Sequence, residues 1–331
     1  MAKLFFDPDG DLSFLDGKTV SVLGYGNQGR AQAQNLRDSG VSVVVGNTRD
    51  ASFKAAVADG FETYEVDEAV KKAHYHLLLV PDEVMPQVFE QSVLPHLNSG
   101  QAIVVSSGYN VTYGFLKYPA NVDVLMVAPR TIGTGVRSHF LDGTGFPSLI
   151  GVQQDATGHA EKIMLALTKG IGSLKKCAIE SSCDEETLCD LFNEHYGGLY
   201  QLRRAYELLV EAGASPEAAM LEFWVSGEGA DVGEVMQSHG LFGQVVLHSR
   251  TSQYGQLVTG RLTADEEEAE RKRLRKLIAG IKDGTFAREW TLEQQAGNPM
   301  LNLVYKQTMS HPMVGEEERL LRVLGLFRRE G

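Results

Sequence analysis

Cysteine is scarce in this chain: Cys177, Cys183 and Cys189 are the only three in 331 residues. They form an odd set with no C-x-x-C pair, which argues against a disulfide framework and against a structural zinc site. Positive charge is also short. Lys and Arg number 31 against 43 Asp and Glu, a formal net charge of -12, which weighs against nucleic acid or an anionic membrane surface as a partner. No apolar run reaches the ~20 residues that a membrane-spanning helix needs. The opening Met1-Ala2-Lys3-Leu4-Phe5-Phe6 passes straight into Asp7-Pro8-Asp9-Gly10-Asp11, without the pattern of a secretory leader. There is no repeat and no low-complexity linker. What remains is the profile of a globular protein, 43% hydrophobic and 22% charged, with room for two domains and expected in the cytoplasm.

The most informative stretch is Thr19-Val20-Ser21-Val22-Leu23-Gly24-Tyr25-Gly26-Asn27-Gln28-Gly29. A short apolar run enters G-x-G-x-x-G and leaves in a helix-like segment, Arg30-Ala31-Gln32-Ala33-Gln34-Asn35-Leu36-Arg37. Gly24 permits the tight turn, Gly26 lets a pyrophosphate approach the backbone, and Gly29 lets helix and strand pack closely. The free N–H groups of the helix start favour the phosphate anion. This is a dinucleotide-binding signature in its proper strand–helix context.

Further apolar, β-rich runs follow at 41–45, 76–80, 102–106 and 122–127, with another at 148–152. They are nearly continuous in apolar residues, as strands buried on both faces are. Helical stretches between them predict an α/β, Rossmann-type doubly wound parallel sheet. From about Asp184 the apolar period becomes helical, with long helices expected over 199–211 and 265–282. The predicted division is a dinucleotide-binding domain over 1–180 and an all-α domain over 181–331.

After the second strand comes Gly46-Asn47-Thr48-Arg49-Asp50-Ala51-Ser52-Phe53-Lys54. Arg49, Ser52 and Lys54 suit a 2′-phosphate through charge-assisted hydrogen bonds, favouring NADPH, whereas Asp50 opposes that phosphate if it points inward. Three strand ends outline a crevice rim, where ligands bind in open α/β sheets: Pro81-Asp82-Glu83, Ser106-Ser107-Gly108-Tyr109-Asn110 and Ala128-Pro129-Arg130-Thr131-Ile132-Gly133. In the helical half, Asp190 and Glu194 stand four residues apart on one helix face. Like charges there repel unless a cation such as Mg2+ joins them. Glu222 is a further candidate carboxylate.

In this order, these pieces resemble the ketol-acid reductoisomerase family in its shorter bacterial form. The resemblance covers nearly the whole chain. It is carried by Gly24 to Ala33, Leu36-Arg37-Asp38-Ser39-Gly40-Val41, Pro81-Asp82-Glu83-Val84 and Met126-Val127-Ala128-Pro129, then by Asp190-Leu191-Phe192 and Leu209-Val210-Glu211-Ala212-Gly213. Phe286-Ala287-Arg288-Glu289-Trp290 and Glu293-Gln294-Gln295-Ala296-Gly297 are the most specific matches. The family couples Mg2+-assisted alkyl migration in a 2-hydroxy-3-keto acid to reduction by NADPH. The resemblance also implies a knotted helical domain through which two chains form a dimer with shared sites.

Carried over residue by residue, Gly24, Tyr25, Gly26, Asn27, Gln28, Gly29, Arg49, Ser52, Asp82 and Gly133 are expected to hold the cofactor. Asp190, Glu194 and Glu222 are expected to hold metal, Ser249 and Glu222 to meet substrate, and Arg130, Asp190, Glu194 and Ser107 to carry catalysis. Three positions depart from the family pattern. Ser107 stands where the family has histidine, Arg130 where it has lysine, and Ser226 where its fourth carboxylate falls, with Glu228 close by. Serine does not move a proton without a base, and arginine does not give one up. The expectation is therefore a reductase acting on a small 2-keto-acid-like carbonyl or imine, with migration lost or impaired. The alternatives are a complete isomeroreductase and a non-catalytic NADPH-binding homologue.

Overall fold

The computed structural model describes residues 2–327, and the chain divides into two compact units between Asp190 and Leu191. The first is built on nine strands: β1 (Leu4–Phe5), β2 (Thr19–Leu23), β3 (Ser42–Gly46), β4 (Glu62–Tyr64), β5 (Tyr75–Leu78), β6 (Ala102–Val105), β7 (Asp123–Pro129), β8 (Pro147–Gln154) and β9 (Cys177–Glu180). They form one sheet in the order β1-β9-β8-β7-β6-β5-β2-β3-β4. From β4 to β7 every pairing is parallel. The apolar runs fill both faces by alternation. Val20, Val22, Leu77, Val104 and Leu125 join one buried cluster, while Leu23, Leu78, Ile103, Val105 and Met126 join the other. Each such side chain contributes about 1.5–3 kcal/mol by leaving water.

The central strands are parallel as the sequence predicts, and the sheet is mixed towards one edge. β8 runs antiparallel to β7, with Ser148 opposite Pro129, and β1 runs antiparallel to β9. A parallel neighbour needs a crossover that travels back along the sheet. The helix after β7, Gly133–Leu141, instead packs on the fingerprint helix Asn27–Asp38. Arg137 reaches Asn35 and Asp38, and Asn35 reaches the Val136 carbonyl. The chain therefore enters β8 beside the end of β7.

The second unit contains no strand among its described residues. Its helices include Gly198–Glu211, Glu228–His239, Ala264–Lys282, Thr285–Gln295, Pro299–Met309 and Pro312–Val323. Pro299 and Pro312 open their helices at the position where a missing N–H costs nothing. Thr263 and Glu266 form a capping box at the head of Ala264–Lys282. Tyr206, Ala219, Met220 and Leu320 form a small buried cluster among its described residues. Among the described residues no helix is long and apolar enough to cross a membrane.

Candidate active site

The glycine fingerprint folds as its spacing requires. Gly24 leaves β2 at φ +98°, a left-handed conformation, and a Cβ there would stand 2.7 Å from the Leu79 carbonyl oxygen. A Cβ on Gly29 would stand 1.9 Å from the Gly24 carbonyl oxygen, and one on Gly133 would stand 2.0 Å from the Asn27 carbonyl oxygen. Gly26 is different, because its missing side chain faces open space. Two helix N-termini, Asn27–Asp38 and Gly133–Leu141, thus meet backbone to backbone with Gly26 left free beside them. Gln28 Nε2 donates to the Thr131 carbonyl across that junction. The Tyr25 N–H donates to buried Asn47 Oδ1, which ties the loop to the end of β3. A cavity of about 510 Å³ opens here, lined by Tyr25, Gly26, Asn27, Ser52, Gly133 and Arg137 among others. Its volume, its glycine floor and its helix-start N–H groups fit a dinucleotide pyrophosphate.

At the end of β3, Asp50 does not swing into the cavity. It caps the helix Ala51–Ala58, accepting from the N–H groups of Ser52 and Phe53, from Asn47 Nδ2 and from Thr48 Oγ1. The Phe53 N–H and the Thr48 hydroxyl hold its carboxyl below the usual range. Arg49 pairs with Glu65 at 2.7 Å and lies over the Phe53 ring, three-quarters exposed. Ser52 lines the cavity, and Lys54 is exposed.

The crevice beyond the carboxyl ends of β5, β6 and β7 holds a polar network. Ser107, after β6, donates to Asp82 Oδ2 at 3.3 Å and accepts from the Tyr109 N–H. Asn110 Nδ2 donates to Asp82 Oδ1 at 3.0 Å and to the Asp82 carbonyl at 3.1 Å. Burial pushes the Asp82 carboxyl up, against the pull of Ser107 and Asn110. The Gly108 N–H donates to Glu186 Oε2 at 2.7 Å, and Arg130, at the end of β7, donates to Glu186 Oε1 at 2.8 Å and to Asp190 Oδ1. Gly108 has room for no side chain, since a Cβ would stand 2.3 Å from the Cys183 carbonyl oxygen. That closeness brings the β6 loop against the start of helix Cys183–His195.

Glu186 is the residue that sequence reasoning missed. It is 2% exposed, and burial raises its carboxyl pKa. The signal was present: 186, 190 and 194 continue one four-residue spacing a turn earlier on the same helix. Asp190 and Glu194 share that helix as expected. Glu222 sits exposed on the π-helical segment Leu221–Val225, and Ser249 caps the short helix Arg250–Tyr254 by accepting from the Ser252 N–H at 3.2 Å. Among the described residues no three His, Cys, Asp or Glu side chains converge as a ready-made metal cage. The hard carboxylate oxygens of Asp190 and Glu194, one helical turn apart, nonetheless suit Mg2+, which takes one or two carboxylates and completes its shell with water and substrate oxygens.

Comparison with known proteins agrees across the chain. Residues 14–177 match the family model described as acetohydroxy acid isomeroreductase, NADPH-binding domain, and residues 183–324 match that of the ketol-acid reductoisomerase C-terminal domain. The ketol-acid reductoisomerase (NADP(+)) of Pyrobaculum neutrophilum is 42% identical over 97% of this chain and 99% of its own length. That of Methanocaldococcus jannaschii is 39% identical over 98% and 99%. A solved NADH-preferring ketol-acid reductoisomerase from an uncultured archean superposes with a TM-score of 0.89 at 34% identity, covering 99% of this chain and 100% of that one.

Proposed function

The chain belongs to the ketol-acid reductoisomerase family, and on that premise we propose that it is a complete, Mg2+-dependent isomeroreductase. It converts a 2-hydroxy-3-keto acid to the 2,3-dihydroxy acid with NADPH, as a homodimer. The observation that carries this reading is the meeting of Asp82, Ser107, Arg130, Glu186 and Asp190 at the carboxyl ends of β5, β6 and β7.

The expectation of lost or impaired migration gives way here. It rested on single positions taken one at a time, whereas relatives about 40% identical over nearly their whole lengths carry the full reductoisomerase name. Ser107 also does not stand alone, because Asp82 accepts its hydroxyl. Arg130 keeps its positive charge between two carboxylates, whose pairing outweighs burial and holds its pKa up.

In this reading the Gly24–Gly29 turn and the two helix starts hold the pyrophosphate, and Ser52 with Arg49 holds the 2′-phosphate. Mg2+, when bound at Asp190 and Glu194, supplies the charge that organises the substrate oxygens. Arg130 presents a planar fork to the substrate carboxylate. Glu222 and Ser249 complete the substrate site in the dimer. Dimerisation through the helical unit is supported by its large exposed apolar side chains, Leu199, Phe242, Val246 and Tyr254 among them.

The test is NADPH oxidation with 2-hydroxy-2-methyl-3-ketobutyrate, with and without Mg2+, and identification of the product. Mg2+-dependent appearance of the dihydroxy acid is expected. Oxidation only with a preformed 2-keto acid would restore the impaired reductase, and none with any acid offered would leave a binding protein.

A further inference from the structure

We infer that Ser107 and Asp82 form a proton-carrying pair, in which the Ser107 hydroxyl meets the reacting oxygens of the substrate and Asp82 stores the proton behind it. The inference rests on the reading above and goes beyond it by naming the group that moves the proton.

Four observations carry it. Ser107 and Asp82 leave adjacent parallel strands, β6 and β5, at the edge where ligands enter such sheets. The Ser107 hydroxyl donates to Asp82 Oδ2, while the Tyr109 N–H occupies one of its lone pairs. The oxygen is thus held in a fixed place with one lone pair still free. Asp82 Oδ1 is pinned by Asn110, which is 1% exposed and also grips the Asp82 carbonyl, so the carboxylate cannot turn away. The groups around it are mostly acidic. Glu83 stands beside it on its own turn, Asp190 faces it from helix Cys183–His195, and Tyr109 faces it from the helix that follows β6. Burial raises the carboxyl above its ordinary value, so a proton resides there more readily than on an exposed aspartate.

The C2 hydroxyl of the 2-hydroxy-3-keto acid passes its proton to Ser107 Oγ as the Ser107 proton passes to Asp82 Oδ2. The freed oxygen pair becomes the C2 carbonyl bond, the alkyl group moves with its bonding pair from C2 to C3, and the C3 carbonyl pair becomes an alkoxide. That alkoxide takes the proton back through Ser107, leaving Asp82 ionised as at the start. The reduction that follows, for which NADPH would supply the hydride, takes the proton of the C2 oxygen from water.

The test compares Asp82→Asn, Ser107→Ala and Ser107→Thr in the full-length protein with Mg2+ and NADPH. Two substrates are used: 2-hydroxy-2-methyl-3-ketobutyrate, which must rearrange, and 3-hydroxy-3-methyl-2-ketobutyrate, which needs only reduction. Asp82→Asn and Ser107→Ala are expected to lower kcat on the first about a hundredfold, within the range for loss of a positioned acid–base group, and on the second about tenfold or less. Ser107→Thr, which keeps the hydroxyl, should stay within about fivefold of the parent. The parent's kcat on the first substrate should fall as pH drops through the raised Asp82 pKa, and Asp82→Asn should lose that dependence. NADPH affinity, read by cofactor fluorescence, should stay unchanged in Ser107→Ala and Ser107→Thr. Equal losses on both substrates, an unaltered pH profile in Asp82→Asn, or a loss confined to NADPH affinity would each overturn the pair. A parent that reduces only the second substrate would instead sink the isomeroreductase reading itself, and needs no variant to show it.

Discussion

The two units of this chain handle apolar surface in opposite ways. The sheet unit buries two large clusters, one on each face, with Val22, Leu36, Ile103 and Leu125 fully out of water. The helical unit has, among its described residues, a small buried cluster around Tyr206 and Met220. It leaves Leu199 84% and Phe242 74% exposed. If that surface is covered in the proposed dimer, the unit's stability is expected to depend on chain concentration. The sheet unit needs no such help. Its polar chemistry sits on a frame that is already rigid.

The strongest way to break this contrast is to put acid on the exposed apolar surface. Phe242→Asp together with Val246→Asp should abolish the proposed dimer in sedimentation and remove the helical unit's cooperative melting transition. The sheet unit's transition should be untouched. If both units melt as before, the helical unit stands alone and the contrast fails.

Within the sheet unit the largest effect should come from Gly29→Ala. The added methyl would meet the Gly24 carbonyl oxygen, and backbone overlap of that kind costs about 3 kcal/mol. NADPH affinity should fall about a hundredfold by fluorescence titration.

A pH scan sharpens the same picture. His76 is fully buried between strands, on Ser21, and burial lowers its pKa to about 4 from 6.5. The native state keeps it neutral while the unfolded chain takes up a proton below 6.5. Stability is therefore complete above about pH 6.5 and declines as pH falls towards 4, by up to about 3 kcal/mol. The urea midpoint of the sheet unit measured at pH 7 and at pH 4.5 should show this, and His76→Gln should flatten it.

Arg130→Ala should cost about 2 kcal/mol, because Glu186 then stays buried without its cation, while Arg130→Lys should cost less than half of that in the same urea assay. The smallest change expected is Arg49→Ala. Its guanidinium is exposed, so the preference for NADPH over NADH should narrow only by about fivefold, roughly 1 kcal/mol, in steady-state kinetics.

What the sequence made legible was local. The fingerprint could be read because three glycines at fixed spacing have one geometric use, and β2, β3, β5, β6 and β7 announced themselves as apolar runs to within two residues. The direction of β8 could not be read, since it depends on where helix Gly133–Leu141 packs, an interaction with a helix more than a hundred residues earlier in the chain. The same limit hid the partnership of Ser107 with Asp82, 25 residues apart, and it made Ser107 look like a hydroxyl without a base. Glu186 was readable in principle from its spacing. What marks it is the Gly108 N–H, supplied by another strand end.

One contact sets a boundary on how this protein can change. Gly133 lies so near the Asn27 carbonyl that the two helix starts behave as a single welded block. A ligand arriving there finds its donors already aimed and sacrifices little freedom in ordering them. The floor therefore tolerates almost no remodelling. On the proposed reading, any drift in which nicotinamide is accepted would be written at the rim, at Arg49 and Ser52, where side chains can be exchanged without disturbing the joint beneath.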